Sequence, residues 1–232
     1  MPNKLKPLAL LSLLCLTAVF SFAQKYNSFA GMRYGKVLPM GEFASHEYGY
    51  GGYALLGNSI GAEAAWFINP KLGFGIDVSK CVMGFAASYY AEDYLENTPE
   101  YSKVDLLSGP YNLNTYMAGA YYKVKIKGRF YSTFKLMGGI FQASSPDQLY
   151  TIEAFMVGKT SFWKTGTSDV KFTFLAGASV EYKVYDMVSL LLQADFTAAQ
   201  PGFYYSTGGS TGYTDYLKMP VFKLQPGINI HF

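Results

Sequence analysis

Few residues in this chain have the types and spacing for chemistry. There are two histidines, His46 and His231, and His46 follows a serine in FASHEYGYGG (43–52). A hydroxyl beside an imidazole could supply a nucleophile and its base, but the base needs a third group to orient it. Nothing around Ser45 and His46 does so, and His46 reads as a solvated loop residue. The carboxylates Glu63, Asp77 and Asp195 could act as acids or bases. Each sits among Lys and Arg on one strand face, where ion pairing perturbs carboxylates without catalysis. The glycines of YGYGG (48–52) do not stand between a buried strand and a helix, which excludes a nucleotide loop. Two cysteines, Cys15 and Cys81, and two histidines far apart in the chain give no cluster of metal-ligand spacing. The expectation is no enzyme, no metal and no cofactor.

The elements that carry these residues are strands. In the final KLQPGINIHF, the residues Phe222, Leu224, Pro226, Ile228, Ile230 and Phe232 alternate with Lys223, Gln225, Gly227, Asn229 and His231. That is the two-residue period of a strand whose faces meet different solvents. The same alternation predicts eight strands at 26–37, 58–68, 72–82, 112–124, 129–143, 170–184, 188–198 and 218–232. Short turns fall at 69–71, 125–128 and 185–187, and long, Tyr/Gly/Ser/Thr-rich connections at 39–57, 83–111, 144–169 and 199–217. Pro226 cannot donate to a ladder, so a bulge or a lost hydrogen bond is expected there.

The N-terminus is of another kind. Lys4 and Lys6 precede an apolar run from Leu8 to Phe20, closed by Ser21-Phe22-Ala23. This reads as a signal peptide over residues 1–23, discarded with Cys15, leaving a domain at 24–232. The apolar run is shorter than the roughly 20 residues a membrane helix needs. Without Lys4 and Lys6, the 19 basic residues fall to 17 against 16 acidic ones. So balanced a chain offers no clustered basic surface for nucleic acid. Charged residues are only 15% and aromatic residues 18%, yet mean hydropathy is +0.08. A secreted chain of this composition with no membrane helix points to a transmembrane barrel of the outer membrane.

A water-soluble barrel of lipocalin type would alternate too, but with apolar residues inside and charge outside. Here the polar face combines small residues, such as Gly31, Gly61, Gly75, Gly119 and Gly177, with Arg33, Glu63, Asp77, Lys123, Lys135, Lys171, Glu181, Asp195 and Lys223. Small residues and charges of both signs suit a crowded interior in which the charges pair. The apolar face carries almost no charge, Lys36 and Lys80 being exceptions near the expected outer mouth. It places Tyr26, Trp66, Tyr122, Phe130, Tyr182 and Phe232 toward the periplasmic rim, and Tyr34, Tyr116, Phe172 and Phe222 toward the outer one. Two aromatic belts mark two membrane interfaces. The fold class is therefore all-β: an eight-stranded antiparallel up-and-down transmembrane barrel with short periplasmic turns and long extracellular loops. An interior of eight strands is only wide enough for side chains to fill it.

With these features the chain resembles the outer-membrane β-barrel domain family, the small porin-like barrels of the outer-membrane protein A and X type. The most specific element is Ile228, Ile230 and Phe232, spaced by twos at the C-terminus. The resemblance implies that these residues are the signal read by the barrel-assembly machinery, and that FAGMRYGKVLPMGEFA (29–44) is the opening strand and first loop. It further implies outer-membrane lipids and lipopolysaccharide as surroundings and a monomer. The expected role is structural or surface-interacting, with a surface ligand at the long loops and an interior plugged by ion pairs. The alternatives are a narrow porin for small solutes and a lipid-modifying enzyme.

Overall fold

A computed structural model describes residues 28–155, 158–206 and 212–232; the signal-peptide reading and Tyr26 lie outside them. Among the described residues thirteen strands are formed: β1 (Phe29–Pro39), β2 (Ala54–Phe67), β3 (Leu72–Phe85), β4 (Tyr101–Ser108), β5 (Tyr111–Lys127), β6 (Phe130–Ser144), β7 (Gln148–Ala154), β8 (Gly158–Lys164), β9 (Ser168–Lys183), β10 (Val188–Ala199), β11 (Gly202–Ser206), β12 (Gly212–Tyr216) and β13 (Met219–His231). Eight of them close a barrel in the order β1-β13-β10-β9-β6-β5-β3-β2. All neighbouring barrel strands are antiparallel. The barrel is thus up-and-down, and closure leaves no free edge, the condition for crossing a bilayer as strands.

The turns at one rim are tight for local reasons. Asn69 Oδ1 accepts from the backbone N–H of Lys71 and Leu72 at 2.9 and 2.7 Å, a side-chain turn that returns β2 into β3. Between β5 and β6 the reversal uses Gly128 at φ +56°. Pro226 keeps its place in the β10 ladder opposite Leu192. Its ladder with β1 passes from Arg33–Gly227 to Lys36–Leu224 at constant offset, skipping Gln225 and Pro226. The proline loses its hydrogen bond without a bulge.

At the other rim the connections expected as loops are built structures. The stretch ASYYAEDYLEN folds as helix α1 (Ala87–Asn97). Ala91 and Leu95 pack beside Tyr90 and Tyr94 onto Val104, Leu106, Tyr150 and Ile152, the i, i+4 spacing of one helix face. Strand β4, from the second long connection, pairs with β7 of the third, and β8 completes a three-stranded sheet. Strands β11 and β12 make a separate hairpin from the fourth.

The two barrel faces differ as the alternation requires. Outward residues such as Leu136, Phe172 and Ile230 are 65%, 69% and 55% exposed, whereas Arg33 and Asp77 inside are 2% and 0%. The interior is less polar than the pattern suggested. Toward the outer mouth Val37, Cys81, Leu113, Phe141 and Val221 pack with Phe43 and Phe203, which fold in from the outer connections. Phe29 and Phe67 near the short turns, with Tyr121 and, farther up the barrel, Met117 and Leu175, form a second apolar cluster.

Candidate functional site

Charges are gathered on the short-turn side of the outer apolar cluster and alongside the second. Arg33 on β1 pairs with Glu63 on β2, and its Nη2 donates to Asp77 Oδ2 on β3 at 2.7 Å. Lys135 on β6 reaches across to Asp77 at 2.6 Å, Asp195 at 3.1 Å and Glu63 at 3.3 Å. Lys223 on β13 stands opposite Asp195 and donates to Ser79 Oγ at 2.9 Å. Three cations and three carboxylates therefore meet at one level, each buried. Ions this dry are tolerated because the cluster is balanced and Arg33, Lys135 and the three carboxylates meet opposite charges within 4 Å; removing one partner leaves a buried charge undercompensated.

Glycines make room for this cluster. A Cβ on Gly177 would lie 2.1 Å from Asp195 Oδ1 and 2.7 Å from Lys135 Cε, and one on Gly227 would lie 2.6 Å from Arg33 Cγ. The longest charged side chains thus lie across strand positions that have none.

A second group lies nearer the short turns. Lys123 Nζ is 3.0 Å from Glu181 Oε2, and Glu181 Oε1 is 2.5 Å from both His231 Nε2 and Ser189 Oγ. Serine, histidine and glutamate together invite comparison with a nucleophilic triad, in which the hydroxyl meets one ring nitrogen and the carboxylate orients the other. Here Ser189 Oγ (2.9 Å) and Glu181 address the same Nε2, and Nδ1 has no partner. The arrangement braces β9, β10 and β13 together. It was illegible in the sequence, because it depends on the register of three strands.

Lys171 is the one charge that stays apart. It is 41% exposed at the outer mouth and pairs with Asp169 at 3.0 Å. The outward aromatics include Tyr122, Phe130 and Tyr182 near the short turns, with Phe130 and Tyr182 rings 4.9 Å apart. Trp66 stacks on Phe74 at 6.0 Å. Tyr116, Phe172 and Phe222 lie in the outer parts of β5, β9 and β13, whereas Tyr34 sits midway along β1. Ile228 and Ile230 face outward and the Phe232 N–H donates to Ser28 O at 3.0 Å, joining the two ends of the barrel sheet. His46 stacks between Tyr53 and Tyr89, at 5.4 and 4.8 Å, and Tyr53 donates to Asp93 of α1 at 2.5 Å. Among the described residues no group of three His, Cys, Asp or Glu is placed to hold a metal.

Closure without an edge, apolar outside and ion-paired inside, decides the architecture. This is a small eight-stranded barrel of the membrane-spanning kind. No protein-family profile and no curated protein sequence matches the chain. Solved structures similar to it include Neisserial surface protein A, at 13% identity and TM-score 0.45 over 88% of this chain and 96% of that one. Ail, the attachment invasion locus protein of Yersinia pestis, matches at 10% identity and TM-score 0.47 over 89% and 99%. Outer membrane protein AlkL, solved in lipid bilayers, matches at 11% and 0.48 over 89% and 90%.

The outer layer of this barrel holds a groove that the sequence did not announce. A cavity of about 630 Å³ lies between the sheet edge at β8 and the β11–β12 hairpin, with Tyr90 and Tyr94 of α1 and Tyr150 of β7 at its side. It shares Tyr90, Lys164 and Tyr205 with a smaller cavity of about 180 Å³ that runs to Asp215 and to Tyr111 at the barrel mouth. Tyr150 and Phe162 stack at 4.9 Å, and Lys164 Nζ sits 4.0 Å over the Tyr205 ring. In the sequence the tyrosines of the connections 83–111 and 199–217 are a matter of composition; the fold brings Tyr90, Tyr94, Tyr204, Tyr205 and Tyr213 to one place.

Proposed function

We propose that this barrel is plugged and acts through its outer layer, as a surface-interaction or envelope-structural protein, neither an enzyme nor a channel for solutes. The observation carrying this reading is the interior: three cations and three carboxylates, all buried, with apolar side chains packed alongside them and above them toward the outer mouth. An eight-stranded barrel has space for little besides its own side chains. The folded outer layer supports the second half of the reading, since a helix, a three-stranded sheet and a hairpin form a shaped surface. The barrel stands as a monomer among outer-membrane lipids and lipopolysaccharide. Ile228, Ile230 and Phe232 label it for the barrel-assembly machinery.

Liposome swelling tests the plug. Vesicles carrying the protein, placed in isosmotic urea or glycine, are expected to swell no faster than empty vesicles; rapid swelling supports the narrow-porin reading instead. Mass spectrometry of lipid A tests the enzyme alternative. Acylation that changes with expression of the protein, and reverts with His46→Ala, overturns the non-enzymatic reading.

A further inference from the structure

We infer that the groove between β8 and the β11–β12 hairpin binds a short neutral oligosaccharide, an inference that rests on reading the outer layer as an interaction surface. The groove's volume of about 630 Å³ falls within the roughly 300–1,000 Å³ of small-molecule sites. Its walls are chiefly tyrosine, with Phe162, Trp163 and Lys164 along β8. A pyranose ring has an apolar face of C–H groups and a rim of hydroxyls. The C–H face packs on an aromatic face, whose π-density is negative; Phe162 and Tyr204, 44% and 54% exposed, present such rings. The hydroxyls need donors and acceptors in the same place.

The groove supplies both. The phenols of Tyr94 and Tyr205 are protonated donors at neutral pH, as any tyrosine is, and burial pushes both up to about 12. Lys164 has no ion-pair partner among the described residues and is held by the Tyr205 ring, leaving its ammonium hydrogens for a ligand. Asp215 lines the adjoining cavity with Lys164, adding an acceptor whose charge cancels the lysine's. Two other ligand classes fit worse. A hydrocarbon would strip water from the tyrosine hydroxyls without replacing its hydrogen bonds. A polyanion would meet Glu92, Asp93, Glu96 and Glu100 on or just beyond α1, a like-charged approach.

The test uses the full mature protein in phosphatidylcholine nanodiscs, with calorimetric titrations of maltotriose, cellotriose, mannotriose, trigalacturonate and octanol. At least one neutral trisaccharide is expected to bind saturably, with little dependence on salt. Phe162→Ala and Lys164→Ala should each weaken that binding by about tenfold. Heat-modifiable gel mobility confirms that each variant is folded. Three results overturn the inference: no binding of any neutral probe up to about 10 mM, neutral binding that neither substitution alters, or tighter binding of trigalacturonate or octanol than of every neutral probe. Failure here is separable from failure of the plugged-barrel reading. A groove without saccharide affinity in a barrel that does not swell refutes only this inference.

Discussion

Lys135→Met removes the cation on which the interior charge cluster converges. In the native barrel Lys135 meets Asp77, Asp195 and Glu63 at 2.6, 3.1 and 3.3 Å, with its side chain 2% exposed. The variant leaves three buried carboxylates facing only Arg33 and Lys223. Each lost contact is worth several kcal/mol of Coulomb energy even at an effective dielectric near 20, and the cost of burying the lysine is recovered in part. Breaking a buried pair from one side costs about 3–5 kcal/mol, which is the loss expected here. Urea unfolding in phospholipid vesicles, followed by tryptophan fluorescence, measures it. The double variant Lys135→Met, Asp195→Asn returns the cluster to two cations and two carboxylates, and should recover at least half the loss. A single variant within about 0.5 kcal/mol of wild type, or a double variant less stable than the single, refutes the argument that charge balance holds the interior together.

Further predictions concern packing and orientation. Gly177→Val places its side chain against Asp195 and Lys135 and is expected to cost about 1–3 kcal/mol as overpacking; Gly138→Ala, whose nearest neighbour is the movable Phe172 ring at 3.2 Å, should unfold close to wild type in the same titration. With Trp163→Phe, the remaining Trp66 fluorescence should be quenched by brominated lipids and little by aqueous iodide. With Trp66→Phe, Trp163 should show the reverse, and equal quenching of both would contradict the assigned faces. Cys81, 1% exposed with its thiol donating to Ser59 Oγ at 3.2 Å, should resist maleimide in the folded barrel and react after unfolding.

The barrel was legible because a bilayer and a crowded interior impose opposite demands on alternate residues. Val170, Phe172 and Phe174 against Lys171, Thr173 and Leu175 report a strand and its faces without reference to any neighbour. The strand ends were less legible. Strands β2 and β3 extend beyond the expected limits to Ala54 and Phe85, where the lipid constraint ends and alternation weakens. The outer layer escaped detection for a related reason. Strands such as QLYTIEA and KTSFWK are short, and β4 and β7 come from different connections, so no local pattern announces their sheet. Helix α1 did carry a signal in Ala91–Leu95 and Tyr90–Tyr94, but tyrosine-rich composition masked it. Inward charges were visible one strand at a time. Which of them meet was not, because the Glu181–His231 contact and the isolation of Lys171 depend on register and depth.

Ion conductance of the purified barrel in planar bilayers tests the central claim most directly. A plugged interior is expected to give no steady single-channel steps, with current indistinguishable from protein-free membranes. Reproducible, long-lived steps from the wild-type protein would contradict it.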